Sequence, residues 1–71
     1  MSLIIGKHAA GKMIERYLDE LDVRRTIAFP DEKEQQGDVT VSKKTMGMKH
    51  VTVVWHLDER GNYIVRTIIQ R

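Results

Sequence analysis

Histidine, arginine and lysine are the residues of this chain best suited to chemistry. The three histidines are His8, His50 and His56, and Lys44, Arg66 and Arg71 lie in the same C-terminal half as two of them. Histidine titrates near neutrality and can both take and give a proton. Arginine offers a planar fork that donates two bonds to a phosphate. The charge distribution points to the same ligand class. Residues 1–38 hold six Lys or Arg against eight Asp or Glu, whereas residues 39–71 hold six against two, so a net charge of +2 is concentrated in the second half. A basic half attracts phosphate or an acidic partner, and it is equally compatible with an ordinary solvated surface.

Other chemistry is excluded by what is missing. There is no cysteine, hence no disulfide and no thiolate metal site, and the histidines lack a compact ligand spacing. No metal or other cofactor is expected. Glycine-rich phosphate loops, nucleophile elbows and paired-carboxylate sites are also lacking. No apolar run approaches the roughly 20 residues of a membrane span, and Met1-Ser2-Leu3-Ile4-Ile5 is not the long apolar stretch of a signal peptide. The expected setting is the cytoplasm, with no membrane partner.

At 71 residues there is room for one domain, spanning residues 1–71, with one modest core. Ala10, Met13, Ile14, Tyr17, Leu18 and Leu21 follow the spacing of one apolar helix face. They suit a single helix from Lys7 to Leu21, or a helix broken near Tyr17-Leu18. In the second case Asp19 is the N-cap of a second helix from Glu20 to Ala28, with Val23 and Ile27 inward and Pro30 beyond its end. A strand over Val23–Phe29 competes, but Arg25 breaks its alternation. Residues 31–38 hold no apolar side chain and read as a solvated loop.

From Val39 the period becomes two. Strands are expected over Asp38–Lys44, Met48–Leu57 and Asn62–Gln70, joined by three-residue loops Thr45-Met46-Gly47 and Glu59-Arg60-Gly61 with glycine third. In that register Lys44 pairs with Met48 and Asp58 with Asn62. One face collects Val39, Val41, Val51, Val53, Trp55, Leu57, Tyr63, Val65, Thr67 and Ile69; Trp55 and Tyr63 therefore read as core. The other collects Thr40, Ser42, Lys44, His50, Thr52, Val54, His56, Ile64, Arg66 and Ile68. The expected fold is α+β: two short N-terminal helices packed on one face of a three-stranded antiparallel sheet, with the N-terminus able to add an edge strand.

The run Lys7-His8-Ala9, Met13 to Arg16, Asp19 to Val23 and Pro30-Asp31 resembles the small domain-of-unknown-function 4258 family. So do Val51-Thr52-Val53-Val54 and Tyr63-Ile64-Val65-Arg66-Thr67, although Tyr17 stands where that family usually has glycine. The layout is similar to that of the RelE, ParE and BrnT toxins, several of which cleave RNA. The ending from Tyr63 to Arg71 looks like the closing strand of a BrnT-type toxin.

The resemblance implies a toxin-like, metal-independent endoribonuclease of a toxin–antitoxin system, with RNA, an antitoxin-like protein or a second copy as partner. A non-catalytic protein-interaction or RNA-binding module is the alternative. RNA cleavage by its own 2′-hydroxyl needs a base, an acid and a cation at the phosphate. In the expected register Arg66 is opposite Val54 and diagonal to His56, with His50 and Lys44 farther along that face. His56, Arg66 and the family's signature histidine, His8, are the catalytic candidates. Lys44, His50, Arg16 and Arg71 are candidates for holding RNA or a partner, Arg16 having Glu20 as an alternative ion-pair partner at i+4. Val54, Ile64 and Ile68 make the same face partly apolar, which equally suits a protein contact.

Overall fold

The computed structural model describes residues 2–15 and 18–70. The elements run β1 (Leu3–Ile5), α1 (Lys7–Glu15), α2 (Glu20–Ala28), β2 (Glu32–Gln36), β3 (Val39–Met46), β4 (Lys49–Leu57) and β5 (Tyr63–Gln70). The sheet has five strands in the order β1-β5-β4-β3-β2, with β1 parallel to β5 and the other pairs antiparallel. The α+β class and the two helices agree with the sequence pattern; the sheet is wider and mixed. No helix among the described residues is long and apolar enough to cross a membrane.

The two-helix alternative holds because Asp19 starts a new helix. Its Oδ1 accepts from the Asp22 N–H at 2.9 Å, and Asp22 Oδ2 accepts from the Asp19 N–H at 3.3 Å. Such a reciprocal cap typically contributes about 1 kcal/mol. The break changes the phase of the apolar stripe. Ala9, Leu18 and Val23 are buried, while Ile14 is 79% exposed and Leu21 51% exposed, contrary to a continuous face. Tyr17 lies outside the described residues. Thr26 is also fully buried, its hydroxyl donating to the Asp22 carbonyl one turn back at 2.8 Å.

Residues 31–38 are largely not a loop. Glu32–Gln36 forms the edge strand β2, joined to β3 by a turn in which Gly37 has φ 63°. Every residue of β2 is exposed, so no apolar alternation marks it. Main-chain pairing to β3 holds it, and its charged side chains suit a solvent-facing edge.

The second hairpin keeps its expected loop. Asp58 N–H donates to the Asn62 carbonyl at 3.0 Å, and Gly61 has φ 79°. The first hairpin does not. Met46 pairs with Lys49 across a two-residue turn whose first central residue, Gly47, has φ 63°, as a primed hairpin turn requires. Either loop needs a left-handed glycine, so Gly47 alone cannot decide between them. The shift of three positions inverts β3: Thr40, Ser42 and Lys44 face the helices, and Val41 faces the other side opposite Val54. Trp55 supplies a physical reason, since its indole N–H donates to Ser42 Oγ at 2.9 Å inside the core.

A β-bulge changes β5. Val54 pairs with Thr67 and Trp55 with Val65, leaving Arg66 as the extra residue. Beyond it the faces exchange. Ile68 turns inward and is 1% exposed, Ile69 turns out and is 43% exposed, and Thr67 lies opposite Val54 rather than in the core. The bulge therefore exchanges Ile69 for Ile68 on the core side and carries Thr67 to the opposite face. The core thus joins Ala9, Leu18 and Val23 of the helix layer to Val51, Val53, Trp55, Val65 and Ile68 of the sheet. The edge of Tyr63 meets Trp55 with ring centroids 5.1 Å apart.

Candidate functional site

The helices cover one face of the sheet, so residues alternating away from the core form an open face. From β4 it carries His50, Thr52, Val54 and His56, and from β3 Thr45, Lys43 and Val41 as their direct partners. From β5 it receives Ile64, Thr67 and Ile69, and Ile4 of β1 stands beside Ile64. Glu32 and Glu34 of β2 pair with Lys43 and Val41 and close the face at one edge.

His56 is half-buried opposite Ile64, and its Nδ1 is a buried polar atom with no hydrogen-bond partner. Arg66 is exposed at the bulge, between the Trp55–Val65 and Val54–Thr67 pairs and two positions along β5 from Ile64. It is therefore not directly opposite Val54 as a regular ladder requires. The bulge sets it outside the pairing, and bulges commonly re-aim a side chain in this way. Beyond His56, the loop carboxylate Asp58 accepts from the Asn62 N–H and Arg60 N–H at 2.8 Å each and from Asn62 Nδ2 at 3.0 Å. The Asn62 bonds in particular hold its pKa below the ordinary carboxylate value, with a lesser contribution from the nearby charge of His56. Asp58 is thus an anionic loop anchor at neutral pH.

The remaining candidates divide. His50 is on the open face, its Nδ1 3.2 Å from Thr45 Oγ1. Lys44 is not. The inverted strand carries it to the helix side, where Nζ donates to the Phe29 carbonyl at the end of α2 at 2.7 Å and lies 3.9 Å from Asp31. Its role there is structural, satisfying a helix-terminal carbonyl. His8 is exposed on α1, beside Lys7, Gly11 and Lys12 around a shallow hollow of about 290 Å³. It belongs to the helix layer, a different layer from His56. Arg16 and Arg71 lie outside the described residues, and Glu20 pairs with Arg24 at 2.9 Å.

Lys43 is the residue that sequence reasoning passed over. In the expected register Lys43 alternates with Val39 and Val41 toward the helices, whereas the observed one sets it opposite Thr52 on the open face, beside His50. Only the correct hairpin register could have revealed it. On the helix side, a hollow of about 250 Å³ lined by Leu3, Arg24, Ile27, Ala28 and Tyr63 contains no acid–base pair. Among the described residues no three His, Asp or Glu side chains group as a metal site.

A family model described as a domain of unknown function, DUF4258, matches residues 5–70. The chain belongs to that family. The match spans both helices and the sheet from the end of β1 to the end of β5, so the open face is part of the DUF4258 domain itself. Comparison with curated proteins and with solved structures gives no match.

Proposed function

We propose that this DUF4258 domain is a toxin-like, metal-independent endoribonuclease, with its substrate on the open sheet face at His56 and Arg66. One observation carries the reading: a half-buried histidine with an unpartnered Nδ1 is paired with Ile64, and two positions along that strand an exposed arginine is set outside the ladder by a β-bulge. The sequence resemblance of its Tyr63–Arg71 ending to the closing strand of BrnT-type toxins supports the same reading.

The chemistry asks little of the protein. The substrate's own 2′-hydroxyl attacks the adjacent phosphorus, the bond to the 5′-oxygen breaks, and a 2′,3′-cyclic phosphate remains. His56 takes the proton of the 2′-hydroxyl, the departing 5′-oxygen takes one from water, and Arg66 stabilises the charge growing on the phosphate oxygens. The reaction requires no metal, because the nucleophile belongs to the RNA.

A second reading, a non-catalytic interaction module, has its own observation. Ile4 is 44% exposed and Ile69 43% exposed on this same face, which suits an antitoxin-like partner or a second copy.

The deciding assay incubates purified protein in EDTA with total RNA and, separately, with ribosome-bound message. The nuclease reading expects cleavage by the wild type and a loss of at least about a hundredfold in Arg66→Ala, the scale of removing one charge-stabilising donor. If both proteins are inert on both substrates while the wild type captures an antitoxin-like partner encoded beside it, the interaction module takes its place.

A further inference from the structure

We infer that the hollow formed by Lys43, His50, Thr52 and Ile69 is a second subsite for single-stranded RNA, on a track running along β4 from the His56–Arg66 end. The inference rests on the ribonuclease reading for the identity of the ligand, but it concerns binding and is tested without cleavage.

The hollow has a volume of about 320 Å³ and lies on the open face. Its floor is Thr52 and Ile69, which are direct partners across β4 and β5, and Lys43 is the partner of Thr52 on β3. Lys43 is exposed and makes no ion pair among the described residues. It is a cation available to a phosphate. The contact of His50 Nδ1 with Thr45 Oγ1 leaves Nε2 and the ring face for a ligand. Imidazole rings serve as stacking surfaces for unpaired bases, and Ile69 adds apolar area beside this one. A phosphate contact next to a base contact is the composition of a nucleotide subsite.

Two histidines therefore share one face, His50 with Lys43 beside it and His56 with its partner Ile64 two positions from the bulged Arg66. The histidines stand six positions apart on β4, about 20 Å at the rise of an antiparallel strand. A stacked strand advances about 3.4 Å per nucleotide, so the track takes about six nucleotides when stacked and fewer when extended. Electrostatics bounds it on one side. Glu32 and Glu34 face the same way from β2 and repel a polyanion, confining it to the columns of β3, β4 and β5.

The test uses 2′-O-methyl RNA homopolymers of two to twelve nucleotides, which lack the attacking hydroxyl and cannot be cleaved by this route. Fluorescence anisotropy reads affinity against length and salt. Affinity should rise with length and level off near six nucleotides. Lys43→Gln combined with His50→Ala should weaken the ten-mer by about tenfold or more and leave the dimer unchanged. Its salt slope should shrink by about 0.7, the value of one phosphate contact on a single strand. Lys7→Gln combined with Lys12→Gln, on the helix layer, should change none of these. The substituted side chains lie at the surface, and circular dichroism confirms folding of each variant.

Wild-type affinity of the Lys43/His50 variant for the ten-mer would overturn the subsite. So would an equal loss in the helix-layer variant, since binding would then follow net charge alone. Cleavage that depends on Arg66 but is accompanied by binding indifferent to Lys43 and His50 would leave the nuclease standing and remove the track. Length-dependent binding that needs Lys43 and His50, without any cleavage, would leave the track and remove the nuclease.

Discussion

Trp55 donates its indole N–H to Ser42 Oγ at 2.9 Å, and both side chains are buried, at 7% and 0% exposure. A buried N–H without an acceptor costs about 1–3 kcal/mol. This one contact favours keeping a serine in the core, turning Val41 outward and seating β3 in its observed register. Lys33 Nζ stands 6.0 Å from the Trp55 ring centroid, so the same ring also helps hold the edge strand.

Replacing Ser42 with alanine should therefore destabilise the domain by about 1–3 kcal/mol, from the stranded indole donor rather than from lost volume. Urea unfolding followed by tryptophan fluorescence measures it. Ser42→Thr, which keeps a hydroxyl, should recover part of the loss. Equal stability of Ser42→Ala and wild type would mean that the indole finds another partner.

Lys44 separates structure from binding. Its ammonium holds the Phe29 carbonyl on the helix side, so Lys44→Met should cost about 1 kcal/mol, a typical net hydrogen-bond contribution. It should leave the affinity for single-stranded RNA unchanged. A loss of RNA affinity with no change in unfolding midpoint would return Lys44 to the open face.

Asp58 makes stability fall in acid. Its pKa is depressed in the folded state by its hydrogen bonds with Asn62, so its contribution is fully present above the ordinary value of 3.8. That contribution is lost as pH falls below 3.8 through the lower folded value. Denaturant midpoints recorded from pH 5 down to pH 2 should decline less steeply in Asp58→Asn than in wild type. Parallel declines would show that the loop carboxylate carries no folding linkage.

The bulge predicts a contrast at one position. Arg66→Ala removes only an exposed side chain and should change stability by no more than about 0.5 kcal/mol. Deleting Arg66 removes only the extra residue and leaves Thr67 opposite Val54 and Ile68 opposite Val53, so the burial of Ile68, about 1.5–3 kcal/mol, should be kept. In the cleavage assay Arg66→Lys should recover only part of the activity lost in Arg66→Ala, because an ammonium cannot reproduce the planar fork. A deletion variant that loses that much stability would mean that the bulge itself, and not only the inward placement of Ile68, holds β5 in the sheet.

What the sequence determined by itself is what short-range chemistry dictates. Asp19 and Asp22 cap each other three residues apart, and the Asp58-to-Asn62 loop closes on itself around Gly61. Val51, Val53 and Trp55 alternate inward with no help from distant strands, and Val65 follows from that loop. The tertiary structure decided the rest. Glu32–Gln36 carries no apolar pattern and becomes a strand only because β3 offers a paired edge. The facing of β3 follows a turn whose glycine fits two loop lengths, and the buried indole donor discriminates between them. The bulge at Arg66 exchanges Ile69 for Ile68 on the core side, which alternation along β5 does not show. These two long-range choices remove Lys44 from the open face, bring Lys43 onto it and set Arg66 outside the pairing. A side chain's place on a sheet depends on strand register, and register is settled by contacts between residues far apart in the chain.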